Sequence, residues 1–120
     1  MRYLTAYYTD KGRRKAVNQD SLLVLREKYE KGEAVLAVIC DGMGGLEKGE
    51  VASQAVVRHF SEWFQEIFVQ IKEKEEEDFE DELYECWENL LQAAHRQIRQ
   101  YGKLNGIKIG TTVTAFLLAR

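Results

Sequence analysis

One stretch, VICDGMGGLEKGEVAS at positions 38–53, constrains this chain more than any other. A continuous apolar run ends on Asp41, and glycine fills three of the next four positions, Gly42, Gly44 and Gly45. From Glu50 onward the apolar residues change to a spacing of three and four. An apolar run bounded by glycine reads as a buried strand, and a three-four spacing reads as an amphipathic helix. The fold therefore has to bring a strand tip, one carboxylate and nearly bare backbone against the start of a helix.

The rest of the chain supplies what surrounds that junction. RYLTAYY is a strand pattern that stops at the turn signal TDKG. SLLVLREKY and EAVLAVIC are two more strands, joined by the turn EKG as an antiparallel hairpin. The first three strands read as a meander, the third buried on both faces because its apolar run is unbroken. Ala52, Val56, Phe60, Trp63, Phe64, Ile67 and Ile71 predict a helix from about 49 to 72. KEKEEEDFED reads as a solvated helix end and connection. Asp78 is the expected cap of a second helix that carries Leu83, Trp87, Leu90, Leu91, Ala94, Ile98 and Tyr101 on one face. YGKLNG stops it, and GTTVTAFLLA is the last strand. The class is α+β with an antiparallel sheet. Four strands are fewer than the roughly five or six of an ordinary sheet, so the chain reads as part of a larger layered domain.

Composition narrows the function. At 120 residues, 45% hydrophobic and 31% charged, the chain is globular and at most one domain. A net charge of -3 gives no basic footprint for nucleic acid or an anionic membrane. No apolar stretch is long enough to span a bilayer, and MRYLTAYYTD lacks the apolar core of a signal peptide, so a cytoplasmic protein is expected. Cys40 and Cys86, without a histidine partner nearby, form neither a disulfide framework nor a zinc site and read as buried thiols.

A glycine-rich strand-to-helix turn first suggests phosphate cradling. The P-loop places Ser or Thr after its lysine, whereas Lys48 is followed by Gly49 and Glu50. The dinucleotide fingerprint, counted from Gly42, would place its third glycine at Glu47. Both templates fail. A hard-cation site suits the residues better, because magnesium and manganese prefer carboxylate, carbonyl and water oxygens. Asp41 offers a carboxylate from a rigid base, Gly42 an uncrowded carbonyl, and Gly44 and Gly45 clearance for ions and water. Taken alone, Asp-Gly reads first as a tight turn. A second element, GRRKAVNQDSLLV, places Asp20 at the start of the hairpin behind Arg13, Arg14 and Lys15. A carboxylate near clustered cations suits metal-bound water beside a phosphate, and its plain alternative is a solvated, capped turn.

TDKGRRKAVNQDS, VICDGMGGLEKGEVAS and GTTVTAFLL, in that order, resemble the metal-dependent serine/threonine protein phosphatases of the PPM or type 2C family. The resemblance spans the whole chain but only about the N-terminal half of the family's catalytic domain, making residues 1–120 a partial domain. It implies half of an α-β-β-α sandwich of antiparallel sheets with outer helix pairs. It implies catalytic roles for Asp41, as the carboxylate bridging two magnesium or manganese ions, and for Asp20, which orients or binds metal-coordinated water. The Gly42 carbonyl would ligate the second ion. The family's phosphate-binding arginine falls on Lys15, which carries charge without the bidentate fork, so Arg14 is the substitute candidate. Gln19 stands where some members carry an acidic residue, and Thr111 and Thr112 read as packing residues. The implied reaction is hydrolysis of phosphoserine or phosphothreonine in protein substrates by metal-activated water. The family's Gly-Asp-Ser element and two further aspartates would lie beyond Arg120. The chain alone is therefore expected to be inactive and to self-associate through an open sheet. The alternative is a non-enzymatic half-domain or pseudophosphatase acting as a binding module.

Overall fold

The computed structural model describes residues 2–8, 19–30, 32–72 and 76–119. Strands β1 (Arg2–Tyr8), β2 (Asp20–Tyr29) and β3 (Gly32–Gly44) come first. A 3-10 turn at Gly45–Glu47 leads into α1 (Gly49–Trp63), which continues through a π-helical stretch, Phe64–Phe68, into the short α2 (Val69–Ile71). Then follow the long α3 (Glu76–Asn105) and β4 (Ile109–Ala119). The expected α+β class holds.

The sheet order is β1-β4-β3-β2, antiparallel throughout. The meander expected for the first three strands is thereby corrected. β2 and β3 form the hairpin, but β1 pairs with β4, from Arg2↔Ala119 to Tyr8↔Val113. The two-helix crossover returns the chain beside β3, and the long β3 takes β4 along its second edge from Ala34↔Ala119 to Gly44↔Ile109. A continuous apolar strand is best satisfied with a partner on each side, which leaves β1 the outer edge of β4.

Helices cover one face of this sheet. Ala34, Leu36, Val38 and Cys40 of β3 and Val113, Ala115, Leu117 and Ala119 of β4 are buried there. The opposite face carries Leu22, Val24 and Ile39, at 67%, 60% and 50% exposure. β3 is therefore buried on one face only, contrary to the expectation from its unbroken apolar run. Side chains alternate along a strand, so an unbroken run gives an apolar second face, and no described helix lies over it.

Between sheet and helices sits an aromatic core. Trp87 of α3 meets Phe60 and Trp63 of α1 edge-on at 5.2 and 5.7 Å, and Phe68 stacks on Phe64 at 4.9 Å. The π-helical stretch decides which residues enter it. Its wider turn carries Phe68 to the core, fully buried, and turns Ile67 outward, 41% exposed. The expected core role of Ile67 passes to Phe68, which also meets Phe79 of α3 at 6.1 Å.

Of the expected stripe in α3, Leu83, Trp87, Leu90, Ala94 and Ile98 are buried and Leu91 and Tyr101 half-buried, and Phe79 extends it toward the N-terminus. The helix begins at Glu76, so Asp78 lies within its first turn rather than at the cap, where its negative charge still favours the helix dipole. At the other end Gly106 takes φ 65°, and the Ile107 N–H donates to the Gly102 carbonyl at 3.0 Å. This six-residue closure fixes where β4 begins. No helix among the described residues is long and apolar enough to cross a membrane.

Candidate functional site

β3 is longer than its hairpin partner, and the overshoot builds the site. β2 begins at Asp20, paired directly with Asp41. β3 continues through Gly42, Met43 and Gly44, held on its other edge by Thr111, Gly110 and Ile109 of β4. The glycine stretch expected to be a turn is thus largely strand. The turn follows it, with Leu46 at φ 55°, ψ 26° and 78% exposed.

Residues directly opposite in an antiparallel pair share a face, with Cβ atoms about 4.5–5.5 Å apart. Ser21, the neighbour of Asp20, faces α1 through a 2.9 Å contact with Ser53. Asp20 therefore projects from the other face, as Leu22 and Val24 do, and Asp41 projects beside it. Both carboxylates stand on the sheet face that the helices leave uncovered. Oδ1 of Asp41 is withdrawn from water.

The Gly42 N–H, on the edge that β2 no longer covers, donates to the Gln19 carbonyl at 3.1 Å. In an extended strand the N–H and C=O of one residue point to the same edge, so the Gly42 carbonyl is directed there too. Gly42 is needed for a close approach. A Cβ there would overlap the carbonyl oxygens of Gly49 and Gln19, and a Cβ on Gly49 would overlap Gln19 Oε1 and the Met43 nitrogen. The start of α1 and the end of β3 pack backbone on backbone.

Cys40 precedes Asp41 but points to the helix side and is fully buried. Burial pushes its thiol up to about 12, against the opposing pull of a Thr111 hydrogen bond. It is a packing residue, as expected, and no nucleophile. Thr111 is buried as well, its Oγ1 donating to the Thr112 carbonyl at 2.8 Å.

Of the residues expected at the site, Asp20, Asp41 and Gly42 come together at one strand junction. Arg13, Arg14 and Lys15 lie outside the described residues. Missed from sequence were the groups behind the carboxylates. Gln19 is 3% exposed and Ser53 fully buried, and both join the sheet to α1. Only the polar type of Ser53 on an otherwise apolar helix face hinted at this. The donors gathered here are all oxygen, two carboxylates and a carbonyl, which fits a hard divalent cation rather than zinc or copper. They make a partial set: among the described residues no group of three or more His, Cys, Asp or Glu is placed to hold a metal.

The family model described as "Protein phosphatase 2C" matches residues 9–120. The serine/threonine phosphatase stp of Listeria innocua is 29% identical over 119 residues, covering 95% of this chain and 42% of that protein. Its counterpart in Listeria welshimeri is 30% identical over the same shares. The chain spans less than half the length of these relatives. No solved structure is significantly similar to it. With 112 positions, 9 through 120, inside one family model, and with the paired aspartates, the glycine run and β4 all within that span, the chain belongs to the protein phosphatase 2C family.

Proposed function

We propose that this chain is the N-terminal part of a phosphatase 2C catalytic domain and forms one wall of a site that hydrolyses phosphoserine and phosphothreonine in proteins. The observation that carries this reading is the register pairing of Asp20 with Asp41 on the uncovered sheet face. Carboxylates placed directly opposite one another repel, and together they offer oxygens to a divalent cation whose charge would offset that repulsion. Asp41, the Gly42 carbonyl and Asp20 would hold magnesium or manganese. When bound, the metal supplies a water of lowered pKa and neutralises phosphate charge. The rigid β3–β4 ladder fixes Asp41 and Gly42, while Asp20 closes the pair from the hairpin's free end. Lys15, with Arg14 beside it, would meet the substrate phosphate as a charge rather than as a bidentate fork.

Two carboxylates and a carbonyl are a sparse set even for a cation that keeps several waters, so further ligands would come from outside the described residues. Residues 1–120 alone are then inactive. The test is hydrolysis of a phenyl phosphate ester and of a phosphopeptide with manganese, by this chain and by any longer protein that contains it. The longer protein should turn over and lose at least about a hundredfold with Asp41→Asn, as expected when a metal-holding group is lost. Robust metal-dependent turnover by residues 1–120 would overturn the one-wall reading. The shortage of carboxylates among the described residues favours one competitor, a non-catalytic module of the same fold. A longer protein that binds the phosphopeptide but never hydrolyses it would establish that competitor.

A further inference from the structure

We infer that Gln19 and Ser53 are positioning residues that hold Asp20 and Asp41 at a fixed mutual spacing; this rests on the metal-site reading above. Asp20 is the first residue of β2, and its pair with Asp41 ends the hairpin register. Strand ends fray unless something ties them down. Here both neighbours of Asp20 are tied, and to the same hydroxyl. Ser53 Oγ lies 2.9 Å from the Gln19 carbonyl and 2.9 Å from Ser21 Oγ, with the Glu50 carbonyl farther off at 3.2 Å. A serine hydroxyl has one proton to give, so Ser53 donates to the nearer Gln19 carbonyl and accepts from Ser21.

The neighbour of Asp41 is tied to the same point. The Gly42 N–H donates to the Gln19 carbonyl that Ser53 also uses. The Gln19 side chain completes the clamp: Oε1 accepts from the Gly49 N–H at 2.7 Å. That N–H belongs to the first turn of α1, where donors lack intrahelical partners, and Lys48 supplies no side-chain cap. One buried residue thus satisfies the helix start, fixes the end of β2 and fixes the overshooting part of β3. The clamp lies on the helix side of the sheet while the carboxylates emerge on the other. It acts through the backbone on either side of each carboxylate.

Ligand oxygens of a hard cation must be held in place by the groups behind them, and losing such support lowers metal affinity by about tenfold or more. The experiment is manganese titration of the isotope-labelled chain, following paramagnetic broadening of individual amide signals, with the remaining spectrum reporting the fold. The unaltered chain should broaden around Asp20 and around Asp41 together. Gln19→Met, similar in size but without the acceptor, should need about tenfold more manganese to reach the same broadening around Asp20 and Asp41. Ser53→Ala should do the same to a smaller degree. A folded variant of either kind with the original manganese dependence overturns the positioning role, as does loss of fold in both. Asp41→Asn tests the metal site separately. If the unaltered chain shows no localised broadening, or Asp41→Asn leaves it intact, the metal-site reading fails and takes the clamp's role with it. Intact broadening in Gln19→Met alongside loss in Asp41→Asn fails the clamp alone.

Discussion

Cys40 and Asp41 are consecutive, yet alternation along β3 gives them opposite environments and opposite consequences. The Cys40 thiol is driven up from 9.0 to about 12 by burial, so it stays neutral in the folded chain well above the pH at which an unfolded thiol ionises. A group whose folded value is raised contributes stability that is complete below pH 9. That stability is lost as pH rises from 9 toward 12, because only the unfolded state sheds the proton there. Urea midpoints across that window should fall more steeply for the unaltered chain than for Cys40→Ala, by up to about 1.4 kcal/mol per pH unit. Parallel profiles would remove the burial argument. Gly42 gives a second residue-scale outcome. Its missing Cβ leaves room for two backbone carbonyls, which cannot rotate aside as a side chain can. Gly42→Ala should therefore cost about 2–3 kcal/mol in a urea melt. That Asp20, Asp41 and Gly42 belong to one strand junction was legible in the sequence from their residue types and order along the hairpin. Gln19 and Ser53 were not, because their bond joins residues 34 positions apart and exists only once sheet and helix have packed.

Among the elements, the sequence was read best where a single period ran unbroken. α3 shows its apolar stripe over most of its length, and its interior was correctly placed. The helix that begins at Gly49 shows the same spacing, but a rule of threes and fours assumes α-helical turns throughout. The π-helical stretch breaks that assumption at Phe64–Phe68 and exchanges Ile67 for Phe68 in the core. Truncation separates the two readings cleanly. Phe68→Ala should cost about 3–5 kcal/mol, and Ile67→Ala less than about 1 kcal/mol, by thermal or urea unfolding. Equal costs would mean that the turn is α-helical in solution. Strand partners were less legible than strand positions. The place of β1 beside β4 depends on where a long crossover returns, and local alternation carries no record of it. The unbroken apolar run of β3 misled for a related reason: it reports what each face prefers, not what covers it.

At the scale of the whole molecule, the helices cover one face of the sheet and leave an apolar patch on the other. Leu22, Val24 and Ile39 are more exposed than a stable monomer usually leaves aliphatic side chains of adjacent strands. Leu22 and Ile39 are direct cross-strand partners, so the exposure forms a continuous patch rather than scattered residues. That patch begins one step along the strands from the Asp20–Asp41 pair and shares its face. Any layer that buried these aliphatics would therefore also close over the carboxylates, and among the described residues no helix supplies one. The isolated chain should reduce the exposed area by pairing with itself. Sedimentation at micromolar concentration should show dimers or larger species, and the double change Leu22→Lys with Val24→Lys should return the chain to a monomer. Because those side chains touch no described core residue's packing side, the circular dichroism of that double variant should match the unaltered chain. A well-folded unaltered monomer under the same conditions would show that the exposed face is tolerated as it stands, and association would then have to be dropped as a property of this sheet.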